Sequence, residues 1–294
     1  MSSKEIIYIL GAGRSGSTIL ATVLNHHEKI SYVGELHHFF SYLKNNSICS
    51  CGKSIRSCEF WGEVLNSLPG SIKNNPQKFE HLCKKMEYHS SIPLHMLGFK
   101  TGKEFEEYKD VQQKLISSID QEKSSGYILD SAKYIGRFLA LKRIFKGQVK
   151  GIFLVRDLRG VICSFKKKVQ TQNSPLRTSV YYMTINTVAH FLSILPGFEI
   201  LKIRYEDLVD DPHKTFHTIG SFLELNLSEC IIKIEEQKPF KIPHIIGGNR
   251  FKTLSEVTIK KDEKWLNTMP SYKKILFYIS ALPIMAINKY KFLK

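Results

Sequence analysis

The segment Gly11–Thr18 has the composition of an anion-binding loop. Its three glycines allow a tight turn, and its side chains supply one cation and several hydroxyls that can surround a terminal phosphate or sulfate. An anion site is therefore predicted at this position, whatever the anion. The candidate contacts are Arg14, Ser15, Gly16, Ser17 and Thr18.

The same segment fits two nucleotide-binding motifs. Gly11, Gly13 and Gly16 match the dinucleotide fingerprint, with Glu35 about 20 residues further on as a ribose-binding acid. This interpretation predicts a nicotinamide-dependent oxidoreductase. The segment also matches a phosphate-binding P-loop, except that Ser17 stands where the lysine of kinases and ATPases belongs. The cation and the hydroxyls favour a tightly held terminal phosphate over a dinucleotide.

A second anion site is predicted around residues 155–164. Arg156 directly follows an apolar run, and Ser164 lies about two helical turns later, so both can face one ligand. An isolated pair such as Arg156 and Asp157 is more often a structural salt bridge. The site of Arg156 and Ser164 and the Gly11–Thr18 segment together predict a nucleotide with two phosphate groups and an adenosine between them.

A cluster of cysteines leaves three interpretations open. Cys49, Cys51 and Cys58 could bind zinc with a fourth ligand such as His38 or Cys83, although their spacing is not that of common zinc sites. They could also form a disulfide or pack as reduced thiols. No metal ligand is assigned on this basis.

The elements that must position these residues follow one pattern along the chain. Apolar runs at residues 6–10, 127–129, 149–155 and 199–204 predict buried strands, and each precedes a stretch of helical periodicity. Alternating strands and helices indicate an α/β fold with three layers, in which a central parallel sheet is flanked by helices. Ligands of such sheets bind beyond the carboxyl ends of the strands. We expect residues 1–294 to form one domain, with an insert at about residues 45–125.

Composition restricts the function classes. The chain has 294 residues and a net charge of +16, which favours anionic ligands. The densest basic run, at residues 166–168, is too short for a nucleic-acid arm, so no nucleic-acid partner is predicted. The apolar stretch at 275–287 is too short to span a bilayer and predicts a buried helix, with peripheral membrane contact through flanking lysines as the alternative. The short apolar run at the N-terminus and the six cysteines indicate a cytoplasmic protein.

At these motifs the chain resembles the sulfotransferases that use 3′-phosphoadenosine 5′-phosphosulfate (PAPS). Arg14–Thr18 is similar to the family's 5′-phosphosulfate loop, and Arg156 with Ser164 to its 3′-phosphate pair. Gly247–Lys252, which contains Arg250, resembles the late loop that closes over the nucleotide. The resemblance implies a P-loop-like fold, PAPS as co-substrate, its product adenosine 3′,5′-bisphosphate (PAP) and no requirement for a metal.

The motifs are most similar to those of protein-tyrosine and Golgi carbohydrate sulfotransferases. This resemblance implies that Glu35 is the base that removes the acceptor proton and that Lys133 supports the leaving oxygen. His37 and His38 are the competing bases, and a structural role for Glu35 is the other alternative. The acceptor would be a hydroxyl or amine on a carbohydrate, lipid or small metabolite. A non-catalytic anion-binding module remains as a further alternative function.

Overall fold

Parallel strands form the centre of the molecule in a computed structural model that describes residues 5–98, 101–123, 125–165, 174–248 and 254–292. Within these residues, the sheet has five strands in the order β2-β3-β1-β4-β5. The strands are β1 (Glu5–Leu10), β2 (Ile30–Gly34), β3 (Tyr127–Asp130), β4 (Val149–Val155) and β5 (Ile200–Arg204). The predicted α/β fold with three layers is confirmed.

Burial on both faces explains why these segments are apolar along their whole length. In β1, Ile6 and Tyr8 pack into the core on one face of the sheet, whereas Ile7 and Ile9 pack into the core on the other. All seven residues of β4 are buried. A strand covered by helices on both faces loses the alternation of apolar and polar residues that a half-exposed strand shows.

Helices cover both faces of the sheet. The first part of the chain contains α1 (Ser17–Leu24), α2 (Phe39–Asn45), α3 (Glu59–Ser67), α4 (Gly70–Lys73), α5 (Pro76–Glu87), α6 (Ile92–Met96) and α7 (Lys103–Glu122), with 3₁₀ turns at Leu36–His38 and His89–Ser91. Helices α2 to α7 occupy the connection between β2 and β3, where the sequence predicts an insert at about residues 45–125. The interpretation of residues 1–294 as one domain stays a prediction.

The remaining elements complete the two outer layers. They are α8 (Ile135–Ile144), α9 (Leu158–Phe165), α10 (Pro175–Ile194), α11 (Tyr205–Asp210), α12 (Pro212–Leu223), α13 (Ser228–Glu235), α14 (Lys264–Thr268), α15 (Ser271–Ile279) and α16 (Leu282–Ile287). A short antiparallel pair joins β6 (Phe240–Lys241) to β7 (Glu256–Val257). Helix α12 has a capped start, because Asp211 accepts a hydrogen bond from the Lys214 N–H and Pro212 occupies the first turn.

The apolar C-terminal stretch differs from its prediction. Instead of one buried helix over residues 275–287, the structure has α15 and α16 with a break at Ser280 and Ala281. Leu276, Ile279 and Leu282 are exposed. Pro283 explains the break, because proline fits the first turn of a helix but not its interior. Among the described residues, no helix combines the length and the apolar character needed to cross a bilayer.

Candidate active site

Each strand of the sheet is followed by a residue that lines one of two neighbouring cavities. The two cavities lie beyond the carboxyl ends of the strands, which is the edge where ligands of parallel sheets bind. After β1, β2, β3, β4 and β5 these residues are Arg14, Glu35, Lys133, Arg156 and Tyr205. The first cavity, here the basic cavity, has a volume of about 460 Å³, and the second, here the histidine cavity, about 270 Å³. Arg14 lines both.

The glycine loop between β1 and α1 has the sharp turn that its sequence predicts. Gly11 has φ 121°, and a Cβ atom there would lie 2.2 Å from the Leu154 carbonyl oxygen. Gly16 precedes α1 with φ 99° and leaves no room for a Cβ atom beside the Tyr205 ring. The loop therefore brings its backbone close to β4 and directs the first turn of α1 toward the basic cavity, and the N–H groups of a first turn have no partners within their own helix.

The hydroxyl groups of the loop differ in their surroundings. The Ser15 Oγ atom is buried and has no hydrogen-bond partner within the described ranges. Leaving a buried hydroxyl unpaired costs about 1–3 kcal/mol. Ser15 itself lines neither cavity, whereas Ser17 and Thr18 of the same loop line the basic cavity. By contrast, the Gly13 N–H is already satisfied, because it donates to the Tyr181 hydroxyl oxygen at 3.0 Å.

Arg156 joins three parts of the basic cavity. Its guanidinium donates to the Arg14 carbonyl oxygen at 3.1 Å and to the Asp262 carbonyl oxygen at 2.9 Å. The same group lies over the Tyr205 ring, 4.2 Å from its centroid. Ser164 lines the same cavity, so the structure brings Arg156 and Ser164 together. Asp157, in contrast, is buried in an ion pair with Arg159 and does not line either cavity.

The basic cavity has an excess of positive charge. In the part of the chain that the structure describes, its walls carry five cations and two acids. The cations are Arg14, Arg156, Lys260, Lys261 and Lys264, and the acids are Glu256 and Asp262. Two of the three lysines come from the segment between β7 and α14 and the third from the first position of α14, a region that the sequence did not single out. Such a lining attracts a multiply charged anion.

Glu35 and Lys133 form an ion pair in the histidine cavity. The Lys133 Nζ atom lies 2.5 Å from Glu35 Oε1 and 2.7 Å from the Ser131 carbonyl oxygen. Both side chains are about 85% buried, with 15% and 14% of their surface exposed. Glu35 follows β2, a strand that the sequence did not predict, and Lys133 follows β3. Because these strands are neighbours, their ends place the two side chains together.

A buried carboxylate fixes the backbone next to both partners of this pair. Asp130 accepts hydrogen bonds from the N–H groups of Leu36 at 3.3 Å and Ala132 at 2.9 Å. Its other oxygen accepts from the fully buried Arg137 at 2.7 Å. Leu36 and Ala132 are the chain neighbours of Glu35 and Lys133. The Asp130–Arg137 pair therefore holds the segments that carry the ion pair in a fixed relation.

Two cations of the site have an unusual backbone conformation. Arg14 has φ 70° and Lys133 has φ 68°, in the left-handed region that residues other than glycine rarely adopt. The Arg14 guanidinium lies 5.5 Å from the centroid of the Phe165 ring. Both side chains line the histidine cavity, so the strained positions coincide with the candidate chemistry.

Histidine and aromatic rings form the remaining walls of the histidine cavity. The rings of His37 and His38 lie 3.8 Å apart, and the His89 ring is stacked on Tyr134 at 4.8 Å. Desolvation by burial lowers the pKa of His37 well below its usual value and the pKa of His89 to about 4. Both rings are therefore neutral near pH 7. A lowered pKa makes His37 a weaker proton acceptor than an ordinary histidine.

Several residues that line the histidine cavity were not identified from the sequence. Tyr134, Tyr181 and His89 line the histidine cavity, yet none of them follows a recognisable motif. A tyrosine or histidine has many structural uses in any protein, so residue type and spacing alone do not single it out. Arg250, predicted to bind the nucleotide, lies outside the described residues, although Gly247 and Gly248 of the same predicted loop are described and have φ of 68° and 85°.

The strand order distinguishes the two motif interpretations of the glycine loop. In the dinucleotide-binding fold, the strand that carries the ribose-binding acid is next to β1, in the order 3-2-1-4-5-6. Here β3 lies between β1 and β2, and Glu35 at the end of β2 is paired with Lys133. The arrangement is that of an α/β protein of the P-loop-like class.

Comparison with known proteins identifies the family within that class. Residues 6–229 match the sulfotransferase family, and the chain belongs to this family. No curated protein sequence matches the chain at a significant level.

Two solved structures resemble the chain over nearly its whole length. The sulfotransferase domain of the Synechococcus PCC 7002 olefin synthase is 20% identical, with a TM-score of 0.57, and the match covers 99% of this chain and 97% of that one. The sulfotransferase domain from the curacin biosynthetic pathway is also 20% identical, with a TM-score of 0.55 and 98% of each chain covered. At this level of identity the similarity shows a shared fold.

Proposed function

We propose that this chain is a PAPS-dependent sulfotransferase that transfers the sulfuryl group to a hydroxyl or amine of a small-molecule, carbohydrate or lipid acceptor. The observation that carries the proposal is the position of Arg14, which lines both the basic cavity and the histidine cavity. A donor in the first cavity and an acceptor in the second would meet at this residue, where the sulfuryl group has to pass.

The basic cavity suits the nucleotide. In the proposed complex, residues 14–18 bind the 5′-phosphosulfate with backbone N–H groups and hydroxyls, and Arg156 and Ser164 bind the 3′-phosphate. Arg250 would add a further contact. The excess of positive charge on the cavity walls favours a ligand with this many negative groups.

The histidine cavity suits the acceptor and the proton transfer. The acceptor oxygen attacks the sulfur atom while the bond from sulfur to the 5′-phosphate oxygen breaks, and PAP leaves. Glu35 takes the acceptor proton, and Lys133 stabilises the charge that develops on the leaving oxygen. The two side chains contact each other at 2.5 Å, so in the proposed mechanism this ion pair has to separate when the acceptor hydroxyl reaches Glu35 and the leaving oxygen reaches Lys133. With cations and N–H groups in these places, transfer does not need a metal at the reacting centre.

Transfer of labelled sulfate from PAPS tests the proposal directly. The protein is incubated with ³⁵S-labelled PAPS and a fractionated cell extract, and labelled products are identified by mass spectrometry. We expect label in a discrete acceptor and stoichiometric release of PAP. Binding of PAP without transfer to any fraction would support the non-catalytic anion-binding module, whereas binding of NADPH in preference to PAP would support the oxidoreductase.

A further inference from the structure

Three cysteines of the α2–α3 connection meet a distant histidine. Cys49, Cys51 and Cys58 lie on this connection, and His244 lies between β6 and β7, 186 positions after Cys58. The three sulfur atoms and one imidazole nitrogen are all within 4.8 Å of one another. The His244 Nδ1 atom is 3.2 Å from Cys58 Sγ. We call these four residues the Cys–His cluster.

The separations within the cluster fit a tetrahedral metal. Zinc binds thiolate sulfur at about 2.3 Å and histidine nitrogen at about 2.0–2.1 Å, which places neighbouring ligand atoms about 3.5–3.8 Å apart. Ligand atoms that are already within 4.8 Å need to move by only about 1 Å to reach this geometry. Three cysteines and one histidine are also a common ligand set of structural zinc sites, in which the protein supplies all four ligands.

The backbone on both sides of the cluster is fixed by hydrogen bonds. Gly52, with φ 84°, turns the chain so that its N–H donates to the Cys49 carbonyl oxygen at 3.0 Å. The Trp61 indole N–H donates to the His244 carbonyl oxygen at 3.0 Å. Ser50 binds the second segment directly, because its Oγ atom accepts from the Ile245 N–H at 2.9 Å. The ligands are therefore presented by two segments that already contact each other.

We propose that the Cys–His cluster binds one structural zinc ion. Binding replaces the proton of each thiol, which is released to water, by a bond to the metal. His244 was not anticipated as a ligand, and it takes the place of His38 and Cys83, the two fourth ligands considered from the sequence. The proposed ion has no role in sulfuryl transfer, because the Cys–His cluster lines neither the basic cavity nor the histidine cavity.

The zinc ion would stabilise the segment whose backbone contacts Glu35. Two residues after His244, the Ile246 carbonyl oxygen accepts a hydrogen bond from the Glu35 N–H at 2.8 Å. Gly247 lies so close that a Cβ atom there would be 2.7 Å from the Glu35 Cβ atom. The ion would therefore join the α2–α3 connection to the segment on which the backbone of Glu35 rests.

Zinc content of the purified protein tests this proposal without any measurement of activity. We expect about one zinc ion per chain by elemental mass spectrometry when the protein is produced and purified under reducing conditions. Cys58→Ser and His244→Ala should each lower the content below about 0.2 per chain. Cys163→Ser changes a cysteine outside the cluster and should keep the full content.

A second measurement, on the unmodified protein, keeps the proposal testable if the variants fail to fold. Replacement of zinc by Co²⁺ in the unmodified protein should give the intense visible bands of tetrahedral cobalt and the near-ultraviolet bands of cobalt–thiolate bonds. The proposal is overturned by a protein that takes up neither metal. It is also overturned by a disulfide between Cys49 and Cys58, seen as the loss of two hydrogens in intact mass, or by full zinc content in Cys58→Ser.

Discussion

The basic cavity and the histidine cavity are built in different ways. Two short segments, residues 14–19 after β1 and residues 254–264 around β7, each supply several walls of the basic cavity from nearly consecutive residues. The histidine cavity instead collects side chains from separate places, among them His38, His89, Ala132 and Tyr181. The proposed anion contacts are therefore encoded in short contiguous segments, whereas the proposed acceptor cavity depends on the packing of helices that are far apart in sequence.

Removal of the proposed base should have the largest effect on the transfer rate. This effect should arise in the histidine cavity alone. We expect Glu35→Gln to lower kcat about 10²–10⁴-fold, because the amide keeps the shape of the side chain but cannot take the acceptor proton. The dissociation constant of PAP, measured by calorimetry, should change by less than about threefold.

The matched control is Glu122→Gln, an identical change at an exposed position at the end of α7. It should leave kcat unaltered. A Glu35→Gln protein that folds correctly and keeps its kcat would remove Glu35 from the mechanism, and His37 and His38 would become the candidates.

Removing the proposed 3′-phosphate contact should affect the other cavity. We expect Arg156→Ala to weaken PAP binding about 10- to 150-fold, corresponding to about 1.5–3 kcal/mol for a charge-assisted contact. Adenosine 5′-phosphate, which lacks the 3′-phosphate, should lose much less affinity.

Because Arg156 also contacts the Arg14 and Asp262 carbonyl oxygens, the melting temperature of the variant has to be measured together with its affinity. Arg156→Lys keeps the positive charge and should recover part of the PAP affinity. Equal losses for the two nucleotides would show that Arg156 does not read the 3′-phosphate.

Acid should destabilise the histidine cavity through His89. Burial lowers the pKa of His89 from 6.5 to about 4, so between these values the unfolded chain binds more protons than the folded one. The stability contribution of neutral His89 is complete above pH 6.5 and is lost as the pH falls toward 4, by up to about 3 kcal/mol.

Urea unfolding at several pH values measures this loss. His89→Gln should reduce the loss of stability between pH 7 and pH 4, whereas His81→Gln, at an exposed position of α5, should not. An unchanged pH dependence in His89→Gln would show that this ring is not kept neutral by the fold.

Added Mg²⁺ should have the smallest effect on the rate of sulfate transfer. Initial rates of sulfate transfer with and without added Mg²⁺ should agree within about twofold, because the segment Gly11–Thr18 has Ser17 in place of the P-loop lysine and contains no acid. A stimulation of about tenfold or more would indicate phosphoryl transfer in the basic cavity.

The sequence predicted most of the sheet because buried parallel strands are apolar throughout. The predicted strand at residues 149–155 has the bounds of β4, and the predicted strand at 199–204 differs from β5 by one residue. Strand β2 was missed. It has only five residues, and Ser31 and Gly34 interrupt its apolar character, although every residue of it is buried.

For the candidate site, contiguous segments were predicted and long-range partners were not. The structure places Arg14, Arg156 and Ser164 on one cavity because loops after neighbouring parallel strands must meet. No comparable rule brings His244 to Cys58, or Tyr181 to Gly13, across more than 160 positions. Such contacts are set by how helices and loops pack, which spacing along the chain does not encode.

The left-handed backbone conformation at Arg14 and Lys133 lowers the stability of the fold at two residues that line the candidate active site. A residue with a Cβ atom costs about 1–2 kcal/mol more than glycine in this conformation. Selection or computational redesign for thermal stability alone would therefore favour glycine at Arg14, whereas at Lys133 the largely buried ion pair with Glu35 opposes that change. A chain with glycine in place of Arg14 would be harder to unfold, yet it would have lost the cation that lines both cavities.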